Sequence, residues 1–233
     1  MSSRKLTRSI IVGAAAIAVA GGSYGIVSAT SSSSPAAASS GSAGGLGSGG
    51  GGSNARSGPA AGGSSGTVGS LSTSSFTMTT SAGQKVTVKE ASSTTYQNGT
   101  SPTSASAITT GEPVLVLGTT SGTTITASKV VVQTTGGGST TASAKEVVPF
   151  QRGAQSTSKQ VGQIPANYSQ GSGTSVGGTA ANKATTAALA AYPGGIVDRV
   201  VKLSNGEYEV HNIGVNWPHH IFVSQNLKLV GAD

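Results

Sequence analysis

Two tracts of serine, glycine and alanine decide how much of this 233-residue chain has the means to fold. Residues 30–65 hold little else and a single charge, Arg56. Such a composition buries too little apolar surface to offset the entropy of ordering the backbone. It predicts a disordered tether with a reach on the order of 35 Å. Residues 134–178 form a second polar stretch, in which Val147, Val148, Phe150, Ile164 and Tyr168 follow no steady period. They read as a linker with a short docking piece around Glu146–Phe150. Two foldable stretches remain, residues 66–133 and 179–233.

The N-terminus supplies an address. Arg4, Lys5 and Arg8 precede an apolar run from Ile10 to Ala20, and small residues end in Val27-Ser28-Ala29. A charged start, a short apolar core and a small-residue cleavage site make a secretory signal. The strictly apolar run falls well short of the roughly 20 residues that span a bilayer. Cleavage after Ala29 is therefore expected, with residues 1–29 as signal peptide. The rival is an uncleaved anchor over residues 10–29. Either way the rest of the chain is expected outside the cytoplasm, secreted or at the cell surface. The sequence has no cysteine, which excludes disulfides, thiolate metal sites and a cysteine nucleophile.

The net charge of +7 suggests nucleic acid at first sight. Loss of Arg4, Lys5 and Arg8 leaves 11 basic against seven acidic side chains, a net +4. The remaining bases are scattered and not interleaved with aromatics, as a backbone-tracking groove requires. Nucleic acid is not expected as a partner.

Residues 66–133 carry the period of β-structure. Ser75–Thr79 and Lys85–Lys89 alternate apolar with polar side chains, the pattern of a half-buried strand. Pro113–Gly118 reads as a more buried strand, and Thr124–Ala127 leads into Lys129–Val132. Several short strands with turns at this spacing predict a small closed or nearly closed antiparallel barrel. The order Gly66-x-Val68-Gly69-x-Leu71, Phe76, Gln84–Val88, Gly111-Glu112-Pro113-Val114 and Ile125–Val130 resembles an OB-like barrel family of exported bacterial proteins without assigned activity.

Residues 179–233 predict one helix on an antiparallel sheet. Ala180–Tyr192 is alanine-rich and stops at Pro193-Gly194-Gly195. Ile196–Leu203 and Glu207–Ile213 flank Asn205-Gly206, the signal of a tight type I′ hairpin. Alternation puts Tyr208 and Val210 on one face and Glu207, Glu209 and His211 on the other. Ile221–Val223 and Leu227–Val230 form a last strand pair. The string Ala187–Gly195, Val197-Asp198-Arg199-Val200, Gly206–His211 and Val230-Gly231 resembles the PepSY family over about residues 180–233. Members are exported or membrane-attached, and the resemblance implies restraint of a peptidase or contact with another envelope protein. One departure is the loop Gly214–His220, which stands where members often carry a polar Asp-Gly turn.

The expected fold is thus α+β with β: a small OB-like barrel, then a PepSY-like helix-on-sheet module, joined and preceded by disordered linkers. His211, His219 and His220, with Glu209 or Asp198, are candidate metal ligands, since imidazole and carboxylate suit zinc or copper. Adjacent histidines on an extended chain point to opposite faces, which opposes shared ligation, so no metal or other cofactor is expected. Tyr208, His211 and Trp217 are candidate partner-binding residues, Trp217 being either a contact anchor or a cap on the small core. Gly62-Gly63-Ser64-Ser65-Gly66 matches a nucleophile elbow and Gly45–Gly50 a dinucleotide fingerprint. Neither has the strand-to-helix context that such chemistry requires. The leading expectation is a non-enzymatic envelope or secreted binding protein acting through its C-terminal sheet or by strand addition. The alternative is a structural cell-wall protein. An enzyme acting on a wall polymer would depend on His211.

Overall fold

The computed structural model describes residues 58–133, 147–155 and 157–233. The signal segment 1–29, residues 30–57 of the first tract, the Gly45–Gly50 string and residues 134–146 lie outside the described residues. The described residues belong to one compact unit, Gly49–Asp233.

Among the described residues, fourteen strands and one long helix follow in order. The first group is β1 (Ala60–Leu71), β2 (Ser75–Thr79), β3 (Lys85–Asn98), β4 (Ser101–Thr103), β5 (Pro113–Ser121) and β6 (Thr124–Val132). Three two-residue strands come next: β7 (Val148–Pro149), β8 (Val161–Gly162) and β9 (Thr174–Ser175). Helix α1 (Gly178–Ala191) precedes β10 (Ile196–Lys202), β11 (Tyr208–Ile213), β12 (Val215–Trp217), β13 (His220–Val223) and β14 (Leu229–Ala232).

The expected pair of separate modules is corrected by the strand pairing. A single 12-stranded mixed sheet runs β2-β3-β6-β5-β1-β10-β11-β13-β14-β8 with β4 and β9 at its sides. Five strands close a circuit, because β1 also pairs with β2. Phe76, Met78, Val86, Val88, Val114, Val116, Ile125 and Val130 pack together on its inner side. This circuit is not a free-standing barrel, because β1 pairs with β10 through Gly63 and Ser64 while pairing with β5 on its other side. Strand β5 is a shared wall as well. Val114 and Val116 enter the first core, whereas Leu115 and Leu117 enter the core beneath α1. A strand apolar on both faces is what two-sided burial demands.

The tether expectation for residues 30–65 is corrected over Ala60–Ser65, which form the first half of β1. Small side chains are what let that half lie between two neighbours. A Cβ on Gly62 would stand 1.9 Å from the Val197 carbonyl oxygen, and one on Gly63 2.2 Å from that of Val116. The Ser64 hydroxyl, fully buried, donates to the Gly195 carbonyl at 2.8 Å. The nucleophile-elbow look-alike is thus strand backbone at a crowded crossing. The linker expectation for residues 134–178 is likewise corrected over its described part. β7 pairs with β12, β8 with β14 and β9 with β10. Strands of two residues leave no alternation to read.

Helix α1 buries Ala181, Ala184, Thr185, Ala188 and Leu189, the i, i+3/i+4, i+7/i+8 stripe of a helix lying on a sheet. It packs over Val200, Val210, Ile221 and Ala232. The hairpin at Asn205-Gly206 forms where expected, but only Gly206 has positive φ, at 85°. Leu203 and Glu207 close the loop backbone to backbone, and the Gly206 N–H donates to the Leu203 carbonyl at 2.9 Å. That is a type I turn followed by a left-handed residue, not type I′.

Candidate functional site

Two places gather polar chemistry on this frame. The first is the sheet face turned away from α1. Alternation along β10, β11 and β13 sends Val200, Val210 and Ile221 under the helix and Arg199, Glu209, His211 and His220 to the opposite side. Arg199 pairs in register with His211, and His211 with His220, so three strands place one row of polar side chains. The register shifts between Val197 and Arg199, and Asp198 reaches the same row from that irregularity. Asp198 Oδ1 lies 2.6 Å from His211 Nδ1. Glu209 Oε1 lies 2.9 Å from His220 Nδ1 and 3.8 Å from the Arg199 guanidinium. The Tyr168 hydroxyl stands 3.0 Å from the same His220 nitrogen, and its ring meets Phe222 edge-on at 4.7 Å between centroids.

This polar face is buried: Arg199 is 6%, Glu209 3% and His211 5% exposed. Tyr168, from the stretch read as linker, packs on it. Burial has the expected electrostatic results. It raises the Tyr168 phenol well above its ordinary range, and the nearby Glu209 and Asp233 charges push the same way. Burial also lowers the His219 imidazole and raises the Asp233 carboxyl. The Asp233 carbonyl accepts from the His219 and His220 amides, and its N–H donates to His220. The charged groups therefore neutralise and orient one another. With so little surface offered to a reactant, the arrangement is suited to fixing strand register.

The candidates from the sequence separate accordingly. His211 and His220 stand together, with ring centroids 5.2 Å apart, but each faces a carboxylate. His219 points elsewhere, its Nδ1 3.2 Å from the Asn212 carbonyl. Among the described residues no three His, Cys, Asp or Glu side chains are placed to hold a metal ion. Tyr208 is half-buried against the core beneath α1. Trp217 is fully buried, edge-on to Tyr192 at 5.3 Å, with its indole N–H donating to the Lys159 carbonyl at 2.6 Å. It caps the core and presents no exposed side chain, whereas Tyr208 keeps part of its surface open. Sequence reasoning passed over Arg199, Tyr168 and Asp233. The signal for Arg199 was its place one residue after Asp198 on a strand facing His211; Tyr168 and Asp233 come in by tertiary contact alone.

The second place is a groove of about 540 Å³ between α1 and the outer side of β5 and β6. Leu117 from β5, Ala187 and Ala190 from α1, and Leu227 from the β13–β14 turn give it apolar lining. Lys129 and Lys183 stand on it from opposite elements, and Thr179, Asn182 and Thr186 complete the helix side. Among the described residues no acid or imidazole lines it. None of its residues was a candidate in the sequence, because β6 and α1 lie some fifty residues apart in the chain.

No protein-family model, curated protein or solved structure matches this chain.

Proposed function

We propose that this chain is an exported, non-enzymatic binding protein of the cell envelope, and that the groove beside α1 is its recognition surface. The observation that carries the reading is the contrast between the two polar places. The cluster with acids and imidazoles is buried and self-paired, whereas the described lining of the accessible groove carries two cations, apolar side chains and neutral polar groups. The routes favoured by sequence lose support. Trp217 is in the core, and strand addition is opposed where β8 covers β14 and β9 covers β10. The PepSY resemblance implies envelope partners for this region of the chain, and the groove offers them a location.

The test is association of purified protein with isolated cell envelopes. Ala187→Trp fills the groove from a half-buried helix position. It should abolish association without lowering the melting temperature. Retained association in this variant, with loss in Tyr208→Ala, would return recognition to the sheet. Export is checked separately by the first residue of the protein recovered outside cells: Thr30 follows cleavage, and Met1 or Ser2 marks an anchor.

A further inference from the structure

We infer that the groove beside α1 takes a single-chain anionic amphiphile, a hydrocarbon chain ending in a carboxylate-like head. The inference rests on the groove being the recognition surface and names what it recognises. Charge comes first. Lys129 and Lys183 approach from two elements, and among the described residues no acid lines the site. A head group with one negative charge is held between two ammonium groups, whereas a cationic one is repelled. Leu117, Ala187, Ala190 and Leu227 give the same lining its apolar part, beside the neutral polar groups of Thr179, Asn182 and Thr186. The volume lies within the range of small-molecule sites, roughly 300–1,000 Å³.

A hydrocarbon chain fits this surface better than a peptide does. A bound extended peptide needs partners for its backbone N–H and C=O groups, commonly a free strand edge. At Leu117 there is none, because β5 pairs through it with Gly63 of β1 on one side and Lys129 of β6 on the other. A hydrocarbon chain makes no such demand and gains from each methylene buried.

The second observation is Leu227. Its φ is +60°, the left-handed region, which bulky side chains rarely adopt. The same loop is built twice in this chain. In the β10–β11 turn, Leu203 N–H donates to Glu207 and Gly206 N–H to Leu203; in the β13–β14 turn, Ser224 N–H donates to Lys228 and Leu227 N–H to Ser224. The left-handed slot holds Gly206 in one copy and Leu227 in the other. Glycine serves the loop without strain. Leucine at the equivalent slot places a side chain on the groove that the turn itself does not need.

The experiment is calorimetric titration of the full chain with hexadecanoate below its micellar concentration, alongside hexadecyltrimethylammonium and hexadecanol. Saturable 1:1 binding of hexadecanoate is expected, at least tenfold tighter than the cationic or neutral chain. Lys129→Gln with Lys183→Gln should weaken it at least tenfold. Leu227→Gly should weaken it severalfold while leaving the melting temperature unchanged or raised, a combination that a purely structural leucine would not give. Equal binding of anionic and cationic chains, no saturation, or undiminished affinity in Leu227→Gly overturns the inference. If hexadecanoate fails while Ala187→Trp still abolishes envelope association, the ligand class falls and the recognition surface stands.

Discussion

Single residues in this chain carry unequal weight, and burial is what separates them. Trp217 reads in sequence as either a contact anchor or a core cap; enclosure by Tyr192 and the Lys159 carbonyl decides for the cap. Trp217→Ala should destabilise the fold by about 3–5 kcal/mol, seen as a shift of the denaturation midpoint. Glu209→Ala should cost a similar 3–5 kcal/mol, because Arg199 then stays buried without its carboxylate. His219 and Asp233 give opposite pH dependences. Burial lowers His219, so the unfolded chain takes up the proton first, and stability is lost as pH falls below about 6.5 toward the folded value. Burial raises Asp233, so its contribution is present below the ordinary carboxyl value near 3.8 and is lost as pH rises through the folded value. Melting temperatures measured across pH should show the first slope reduced in His219→Gln and the second in Asp233→Asn. A variant with an unaltered profile would remove that residue from the account.

At the scale of elements, period decided what was legible. β2, β5, β6, α1, β10, β11 and β13 stand close to where alternation or helical composition put them, since each has one or two buried faces long enough to leave a pattern. β7, β8 and β9 have two residues each, too few for a pattern, and they pair with strands distant in sequence. The first half of β1 escaped for a different reason. Its alanine, glycine and serine residues are those of a tether, and the same small side chains allow packing between β5 and β10. Gly62→Ala should therefore destabilise by about 1–3 kcal/mol through overpacking, although alanine favours order in a true tether. Equilibrium denaturation distinguishes the two, because an unchanged midpoint would mean that the crossing tolerates the methyl group.

For the whole molecule, the joint at β1 makes the two halves one cooperative body. The circuit of five strands and the helix-covered sheet share β1 and β5, and Ser64 bonds Gly195 across the joint. Thermal unfolding should show one transition, with Ser64→Ala lowering it as a whole by about 1–3 kcal/mol for the Gly195 carbonyl left without its donor. Two resolved transitions would restore separate domains. The sequence by itself determined the β-rich character, the position of α1 and its stop, the Asn205-Gly206 hairpin and the lack of any cysteine-based site, because these depend on local period, turn chemistry and composition. Tertiary structure alone decided that Ser-Gly residues join the sheet, that the polar face of Glu209 and His211 is buried beneath Tyr168, and that Lys129, Lys183 and Leu227 meet at one groove. Those outcomes depend on contacts between residues far apart in the chain, and local pattern carries no record of them.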